Sequence, residues 1–247
     1  MQIKSIHDEA GMEHKGFISY KIILLTFYKF SVTEIMSNYK CEMKVVGSVQ
    51  TNCYFIYNTD TSECVVIDPG DEAQSINAFI VEKGFKPVAI LLTHGHFDHV
   101  GAVTFLRNKY GMKVYAAEAE RETLENPEIN LSSQLMGGRI ILEADEWLSD
   151  GQEISLIGEK IRCILTPGHT EGGMCFYFTG CGVLFSGDTL FEQSVGRTDF
   201  PGGSMGKIVQ SIRTKLFVLP DYIKVYPGHG MATTIGDEKM LNPYAAL

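Results

Sequence analysis

Five of the seven histidines in this 247-residue chain fall into one pattern. They stand in Thr93-His94-Gly95-His96-Phe97-Asp98-His99, in Pro167-Gly168-His169-Thr170 and in Pro227-Gly228-His229-Gly230, and Gly187-Asp188-Thr189 adds a carboxylate between the last two. Imidazole nitrogen mixed with carboxylate oxygen suits zinc, manganese or iron, whereas a structural zinc site usually recruits thiolates. The six cysteines form no C-x-x-C pair. The pattern predicts a catalytic centre for two divalent metal ions, zinc first with iron or manganese as alternatives, and with coordination space left for water.

The spacing carries further information. In an extended segment, residues two apart point to the same side, so His94 and His96 would grip one ion. A helix that starts around Asp98 and His99 would turn those two towards a second. His169 and His229 each arrive on a Gly-rich loop after a strand pattern. Asp188 reads as a bridge, because a carboxylate between two cations offsets their repulsion, and Gly187 beside it permits close approach. Asp68, in Ile67-Asp68-Pro69-Gly70, has two readings: a hydrogen-bond partner for a ligand, or a plain turn aspartate. Arg197, in Gly196-Arg197-Thr198-Asp199-Phe200-Pro201-Gly202-Gly203, is either paired with Asp199 in a surface loop or a clamp for a substrate carboxylate.

The elements that must position these residues can be read from periodicity. Strand patterns cover 44–46, 53–57, 64–67, 113–116, 161–165 and 223–226, and 174–178 with 183–185 flank a hairpin turn at 179–182. The five-residue apolar run 88–92 suits a strand buried on both faces. Asp71 can cap a helix in which Ala73, Ile76, Phe79 and Ile80 share a face, and Gly84 ends it. Val100, Val103, Leu106 and Tyr110 recur at helical spacing up to Gly111, and 207–216 aligns Ile208, Ile212 and Leu216. The acidic stretch 116–126 reads as a helix with a solvated face, and Trp147 as packing between strands. Four ligand segments come after strands, which places the site along one edge of a sheet-based core.

Composition bounds the rest. With 45% hydrophobic residues the chain can bury a full core, and a net charge of −9 without a basic cluster excludes a phosphate-tracking surface, so no nucleic-acid partner is expected. Residues 1–42 differ in character from the rest of the chain. The apolar run from Phe17 to Phe30 is broken by Lys21 and Lys29, falls short of the ~20 residues that span a bilayer, and is preceded by Asp8, Glu9 and Glu13 with no small-residue cleavage site after it. The expectation is a dispensable extension over 1–42, carrying His7 and His14, and one functional domain over 43–247, with no membrane partner. Scattered cysteines in apolar runs suit buried reduced thiols and a cytoplasmic location.

In combination these motifs resemble the metallo-β-lactamase superfamily, from about Met43 to the C-terminus. The resemblance implies an α+β fold, a four-layer αββα sandwich with the metals at one edge. It implies that His94, His96 and His169 hold the first metal, that Asp98, His99 and His229 hold the second, and that Asp188 bridges them. Dinuclear lactamases of the superfamily usually carry cysteine at the position of Asp188, which points away from antibiotic hydrolysis. The stretches Gly187-Asp188-Thr189-Leu190-Phe191, Gly196-Arg197-Thr198-Asp199-Phe200 and Pro227-Gly228-His229-Gly230 are similar to short glyoxalase II-like (hydroxyacylglutathione hydrolase-like) enzymes. Those cleave small thioesters of the S-acylglutathione type, such as S-D-lactoylglutathione, with water activated between two metals. Asp98 and Asp188 would then be catalytic, and Arg197 would bind substrate. The longer glyoxalase II enzymes continue into a helical glutathione-binding region where this sequence reads Asn242-Pro243-Tyr244-Ala245-Ala246-Leu247, so a different thiol carrier is also an expectation. The alternative is a persulfide dioxygenase, similar in the Gly196 to Phe200 loop, with one iron on His94, His169 and Asp188.

Overall fold

The strands carry apolar side chains on both faces, and in the computed structural model, which describes residues 38–136 and 138–245, the two faces go to different cores. Along β1 (Tyr39–Val46), β2 (Thr51–Asn58), β3 (Glu63–Ile67), β4 (Lys86–Leu91), β5 (Lys113–Ala117) and β6 (Glu146–Leu148), one six-stranded sheet forms in sequence order. Cys53, Phe55, Cys64, Val66 and Ile90 face an outer core, where they meet Ile76 and Ile80 of α1 (Ala73–Lys83), Val100 of α2 (Phe97–Val100), and Val103 and Leu106 of α3 (Val103–Tyr110). The alternate residues Tyr54, Ile56, Val65, Ile67 and Leu91 face the other way. That is the period of two expected for a sheet covered on both sides.

The second six-stranded sheet has the order β14-β13-β10-β9-β8-β7. Its strands are β7 (Glu153–Leu156), β8 (Glu159–Leu165), β9 (Met174–Phe178), β10 (Val183–Gly187), β13 (Lys224–Pro227) and β14 (Thr233–Thr234), with the small pair β11 (Leu190–Phe191) and β12 (Ser194–Val195) between. Cys163, Met174, Phe176, Phe178 and Phe185 pack against the inner face of the first sheet. Ile164, Cys175 and Leu184 point outward onto Ile208 of a helix over Met205–Ser211, onto Ile212 and Leu216 of the π turn that continues it, and onto Ile235 of a helix over Ile235–Leu241. Three cores alternate with two sheets and two helical layers. The fold is therefore the four-layer αββα sandwich of the α+β class.

Several elements depart from the sequence reading, each for a local reason. Asp71 does not cap α1: the cap position is Glu72, in the left-handed region at φ 50, and the Asp71 carboxylate accepts instead from the Glu72 N–H at 2.6 Å. The 88–92 run is buried on both faces from Ala89 to Leu92, and Val88 alone, 37% exposed, departs from the expectation. The 207–216 helix begins at Met205 and gives way at Ile212 to the π turn. The acidic stretch 116–126 is not one solvated helix. β5 runs through Ala117, a 3-10 turn spans Glu118–Glu120, a short helix spans Arg121–Glu125, and Glu120 faces inward.

Trp147 lies in β6 against the outer core, with the Arg121 guanidinium 4.0 Å above its ring. β1 begins at Tyr39, ahead of Met43, and those first residues pair with β2, Tyr39 opposite Asn58 and Glu42 opposite Phe55. The remainder of the expected extension, with His7 and His14, lies outside the described residues. Among the described residues no helix is long and apolar enough to cross a membrane.

Candidate metal centre

All seven residues singled out by spacing come together at one rim of the sandwich. His94 and His96 lie on the loop after β4, Asp98 and His99 on the first turn of α2, His169 on the loop after β8, Asp188 directly after β10, and His229 after β13. Three overlapping groups form: His94, His96 and His169; His94, His99 and Asp188; and Asp98, His99 and His229. In each, the donor atoms lie within 4.8 Å of one another. Asp188 stands between them, with Oδ1 3.5 Å from His99 Nε2, and Oδ2 3.6 Å from His169 Nε2 and 3.5 Å from His229 Nε2.

The backbone must let Asp188 in. A Cβ on Gly187 would strike the Thr93 side chain, and one on Gly228 would strike Asp188 Oδ1 and the His99 ring. Glycine is needed at both positions for close approach rather than for turn geometry alone.

Hydrogen bonds decide which imidazole nitrogen faces the centre. His99 Nδ1 meets Asp68 Oδ2 at 3.0 Å, His169 Nδ1 meets the Arg197 carbonyl at 2.8 Å, and His229 Nδ1 meets the Gln50 carbonyl at 3.3 Å. His94 Nδ1 lies 3.2 Å from Thr93 Oγ1, whose own proton goes to Asp68 Oδ2 at 2.6 Å. Each partner accepts a proton from Nδ1 and leaves the Nε2 lone pair for a ligand. His96 is the exception: its Nδ1 converges on His169 Nε2 at 2.9 Å. Two lone-pair nitrogens so close suit a shared cation. Buried His94 Nε2, His99 Nε2 and Asp188 Oδ1 have no hydrogen-bond partner in the protein. Orphaned polar atoms of this kind are rare, and here they fit two metal ions, one per triad.

Electrostatics separates the triads. Burial, with the surrounding imidazoles, drives His94 well below its ordinary range and takes His96 down to about 3, so these two imidazoles are neutral and ready to donate lone pairs. In the second triad burial also opposes charge, but Asp98, Asp188 and Asp68 outweigh it and raise His99 to about 10. His229 is raised against burial by its bond to Asp98, and Asp98 is lowered against burial by His99, His229 and Thr51.

Four residues outside the motif hold this arrangement. Asp68 takes the first of its two readings: it is buried, accepts from the Thr93 N–H at 2.8 Å, orients His99, and holds a left-handed φ of 49 that aspartate tolerates better than most residues. Thr51 donates to Asp98 Oδ2 at 2.8 Å. Asn52 donates to the carbonyls of Pro227 and Gly230, both at 3.0 Å, and so frames His229. Buried Glu120 accepts from the Gly95 N–H at 3.0 Å and from Thr170 Oγ1 at 2.9 Å. Sequence reasoning missed Thr51 and Asn52 altogether. For Glu120 one signal existed: it shares a helical face with Thr123 and Leu124, both buried. Arg197 pairs with Asp199 at 2.8 and 2.7 Å, both side chains exposed, and its guanidinium stacks 3.8 Å over Phe200, whose ring edges against His96.

This fold and this rim define a class: the chain belongs to the metallo-beta-lactamase superfamily, whose profile matches residues 46–229. Among particular relatives, it is 38% identical over 200 residues to the "Probable metallo-hydrolase YqgX" of Bacillus subtilis (strain 168), covering 81% of this chain and 94% of that protein. It is 37% identical over 206 residues to the "Hydroxyacylglutathione hydrolase GloC" of Haemophilus influenzae, covering 82% of this chain and 96% of that protein. A crystal structure described as the BLEG-1 B3 metallo-beta-lactamase superposes with a TM-score of 0.80 at 40% identity, covering 83% of this chain and 99% of that one. TTHA1623, described in a di-iron-bound form, superposes with a TM-score of 0.73 at 35% identity, covering 82% of this chain and 99% of that one.

Proposed function

We propose that the chain is a dinuclear metal-dependent hydrolase of small thioesters of the S-acylglutathione type. The observation that carries the reading is the pair of triads meeting at Asp188, with orphaned nitrogen and oxygen atoms aimed between them. The relative named hydroxyacylglutathione hydrolase supports the substrate class. His94, His96 and His169 would hold one ion and Asp98, His99 and His229 the other, zinc first with iron or manganese as alternatives. When bound, such ions lower the pKa of coordinated water towards neutrality and polarise a carbonyl.

The protein's own groups set where that chemistry happens. Asp98 is pinned by Thr51 and by His229 Nε2, 3.3 Å from Oδ2, and on this reading it would orient the proton of the attacking water. A thiol leaving group is acidic enough to depart without a strong general acid. Beside Asp98 opens a cleft of about 250 Å³ lined by Val49, Phe97, Leu135 and Met136, which would seat the apolar part of the thioester. Arg197, two residues from its Asp199 partner and stacked above Phe200, would turn towards a carboxylate of the thiol carrier. We assign the enzyme to the reducing cytoplasm: its cysteines are free thiols, and all but Cys41 are buried.

The test is hydrolysis of S-D-lactoylglutathione by purified full-length protein under nitrogen, with bound metals counted. Turnover without oxygen at two metals per chain supports the reading. Inactivity on the thioester, together with oxygen consumption on a persulfide and a single iron, would replace it with the dioxygenase held by His94, His169 and Asp188. A cephalosporin belongs in the same panel, because the likeness to a protein described as a B3 lactamase weighs against excluding β-lactams on Asp188 alone.

A further inference from the structure

Glu120 is a buried carboxylate that the proposed chemistry does not use, and it touches no candidate ligand atom. Its Oε1 accepts from the N–H of Gly95, the residue between His94 and His96, at 3.0 Å. Its Oε2 accepts from the hydroxyl of Thr170, the residue after His169, at 2.9 Å. The Thr123 hydroxyl and the Gly172 N–H also face the carboxylate. A Cβ on Gly172 would run into the backbone of Ala119 and Glu120, so the His169 loop lies directly on the 3-10 turn that carries Glu120. Gly95 lies more loosely against the Thr123 and Leu124 side chains of the next helix, where a Cβ would meet them at 3.0–3.1 Å.

We propose that Glu120 is a positioning residue for the first metal triad: it ties the loop of His94 and His96, from one sheet, to the loop of His169, from the other. The spacing between these loops is the spacing of the triad. The second triad is anchored by other groups, Asp98 by Thr51, His99 by Asp68 and His229 by the Gln50 carbonyl, and none of these touches Glu120. The clamp is therefore selective for one ion. A buried carboxylate is costly for packing alone, and burial pushes this one up from its ordinary range while the four donors pull it back. It adds a side-chain join between the two ligand loops to the backbone hydrogen bond from the Met174 N–H to the Thr93 carbonyl at 2.8 Å, and it reaches Gly95, between the two histidines, which that bond does not.

The experiment titrates metal-free protein with Zn²⁺ against a chromophoric chelator and locates the ion by anomalous diffraction at one equivalent of zinc. Glu120→Ala should weaken zinc at His94, His96 and His169 by roughly 10-fold or more, the scale on which partners behind metal ligands act. The triad of Asp98, His99 and His229 should change by less than about two-fold, a shift that one lost distant partner would not exceed. Glu120→Gln keeps the shape and one acceptor, so it should fall between wild type and alanine. Thr170→Val, a near-isosteric change that leaves the core filled, should weaken the same triad, and its combination with Glu120→Gln should cost less than the sum of the two.

Equal weakening of both triads would make Glu120 a general strut and overturn the proposal. So would wild-type affinity in Glu120→Gln and Thr170→Val. Because the readout is metal affinity, it stands apart from the thioester reading: an intact clamp with no thioester turnover would sink the function and leave the clamp. A wild-type protein that bound no zinc, iron or manganese would remove both.

Discussion

Each imidazole of the centre except His96 gives one nitrogen to the protein and one to the rim, and this division sets the charge state of the rim. In metal-free protein His99 is raised from an ordinary 6.5 to about 10. A raised folded value means that its stabilising charge is fully present below about 6.5 and is lost as pH rises towards 10. His96 acts in the opposite sense. Held neutral down to about 3, it leaves the folded state short of a proton that the unfolded chain binds below 6.5, so stability falls as pH drops from 6.5 towards 3. Metal-free protein should therefore melt highest near neutrality and lose stability on both sides, and zinc should flatten the alkaline arm by replacing the proton on His99. Scanning calorimetry from pH 5 to pH 10 with and without zinc checks this; an alkaline arm as steep with zinc as without would contradict it. Asp188 is the other residue-scale case, because both triads lean on it. Asp188→Ala should bind fewer than two zinc ions and lose at least ~100-fold in turnover, the scale on which a single electrostatic stabiliser counts in an active site. Two bound ions and full activity in that variant would refute its central place.

At the scale of elements, the start of β2 reaches across the sandwich to the end of β13. The Asn52 N–H donates to the Gly228 carbonyl at 2.7 Å, its side chain holds the carbonyls of Pro227 and Gly230, and Tyr54 donates to the Pro227 carbonyl at 2.8 Å. Asn52→Ala would leave the Pro227 carbonyl to Tyr54 alone and take the side-chain donor from the Gly230 carbonyl, at a cost of about 1 kcal/mol, the net worth of a typical hydrogen bond. Chemical denaturation should show that loss, and zinc affinity at the second triad should fall with it; a variant as stable as wild type would mean that water replaces the side chain without penalty. This junction also marks the limit of what is legible in the sequence. His94, His96, Asp98 and His99 advertise themselves by local spacing, and His169, Asp188 and His229 by strand ends rich in glycine. Asn52 sits 175 residues from Pro227, and Glu120 sits 25 from Gly95 and 50 from Thr170. No local pattern encodes such pairings. The same holds for the faces of the sheets: the alternation in β2 and β3 is legible, but which face meets helices and which meets the other sheet is decided by packing. Glu120 escapes a sequence reading because an acidic stretch is usually solvated, and only the donors brought by two distant loops make burial tolerable here.

For the whole molecule, the question is where the functional unit begins. β1 pairs with β2 from Tyr39 onward, and the superfamily profile begins at residue 46. We expect a chain beginning at Asn38 to melt and turn over as the full-length protein does. One beginning at Met43 would lose the outer half of β1 and should melt ~5 °C or more lower, given that 1 kcal/mol is worth about 2–4 °C in a domain of this size. Thermal melts of the two truncations decide it. Equal melting of both would show that the first residues of β1 add nothing, and a failure of the Asn38 chain would show that the preceding residues are required.

The triads draw on both sheets. His94, His96, Asp98 and His99 belong to segments leaving the first sheet, and His169, Asp188 and His229 to segments leaving the second. Each ion would thus be a staple between two halves of the sandwich, and its binding free energy would be added to the stability of the fold. Metal-free protein would then open first at this rim, with the ligand loops parting before the two inner sheet faces do.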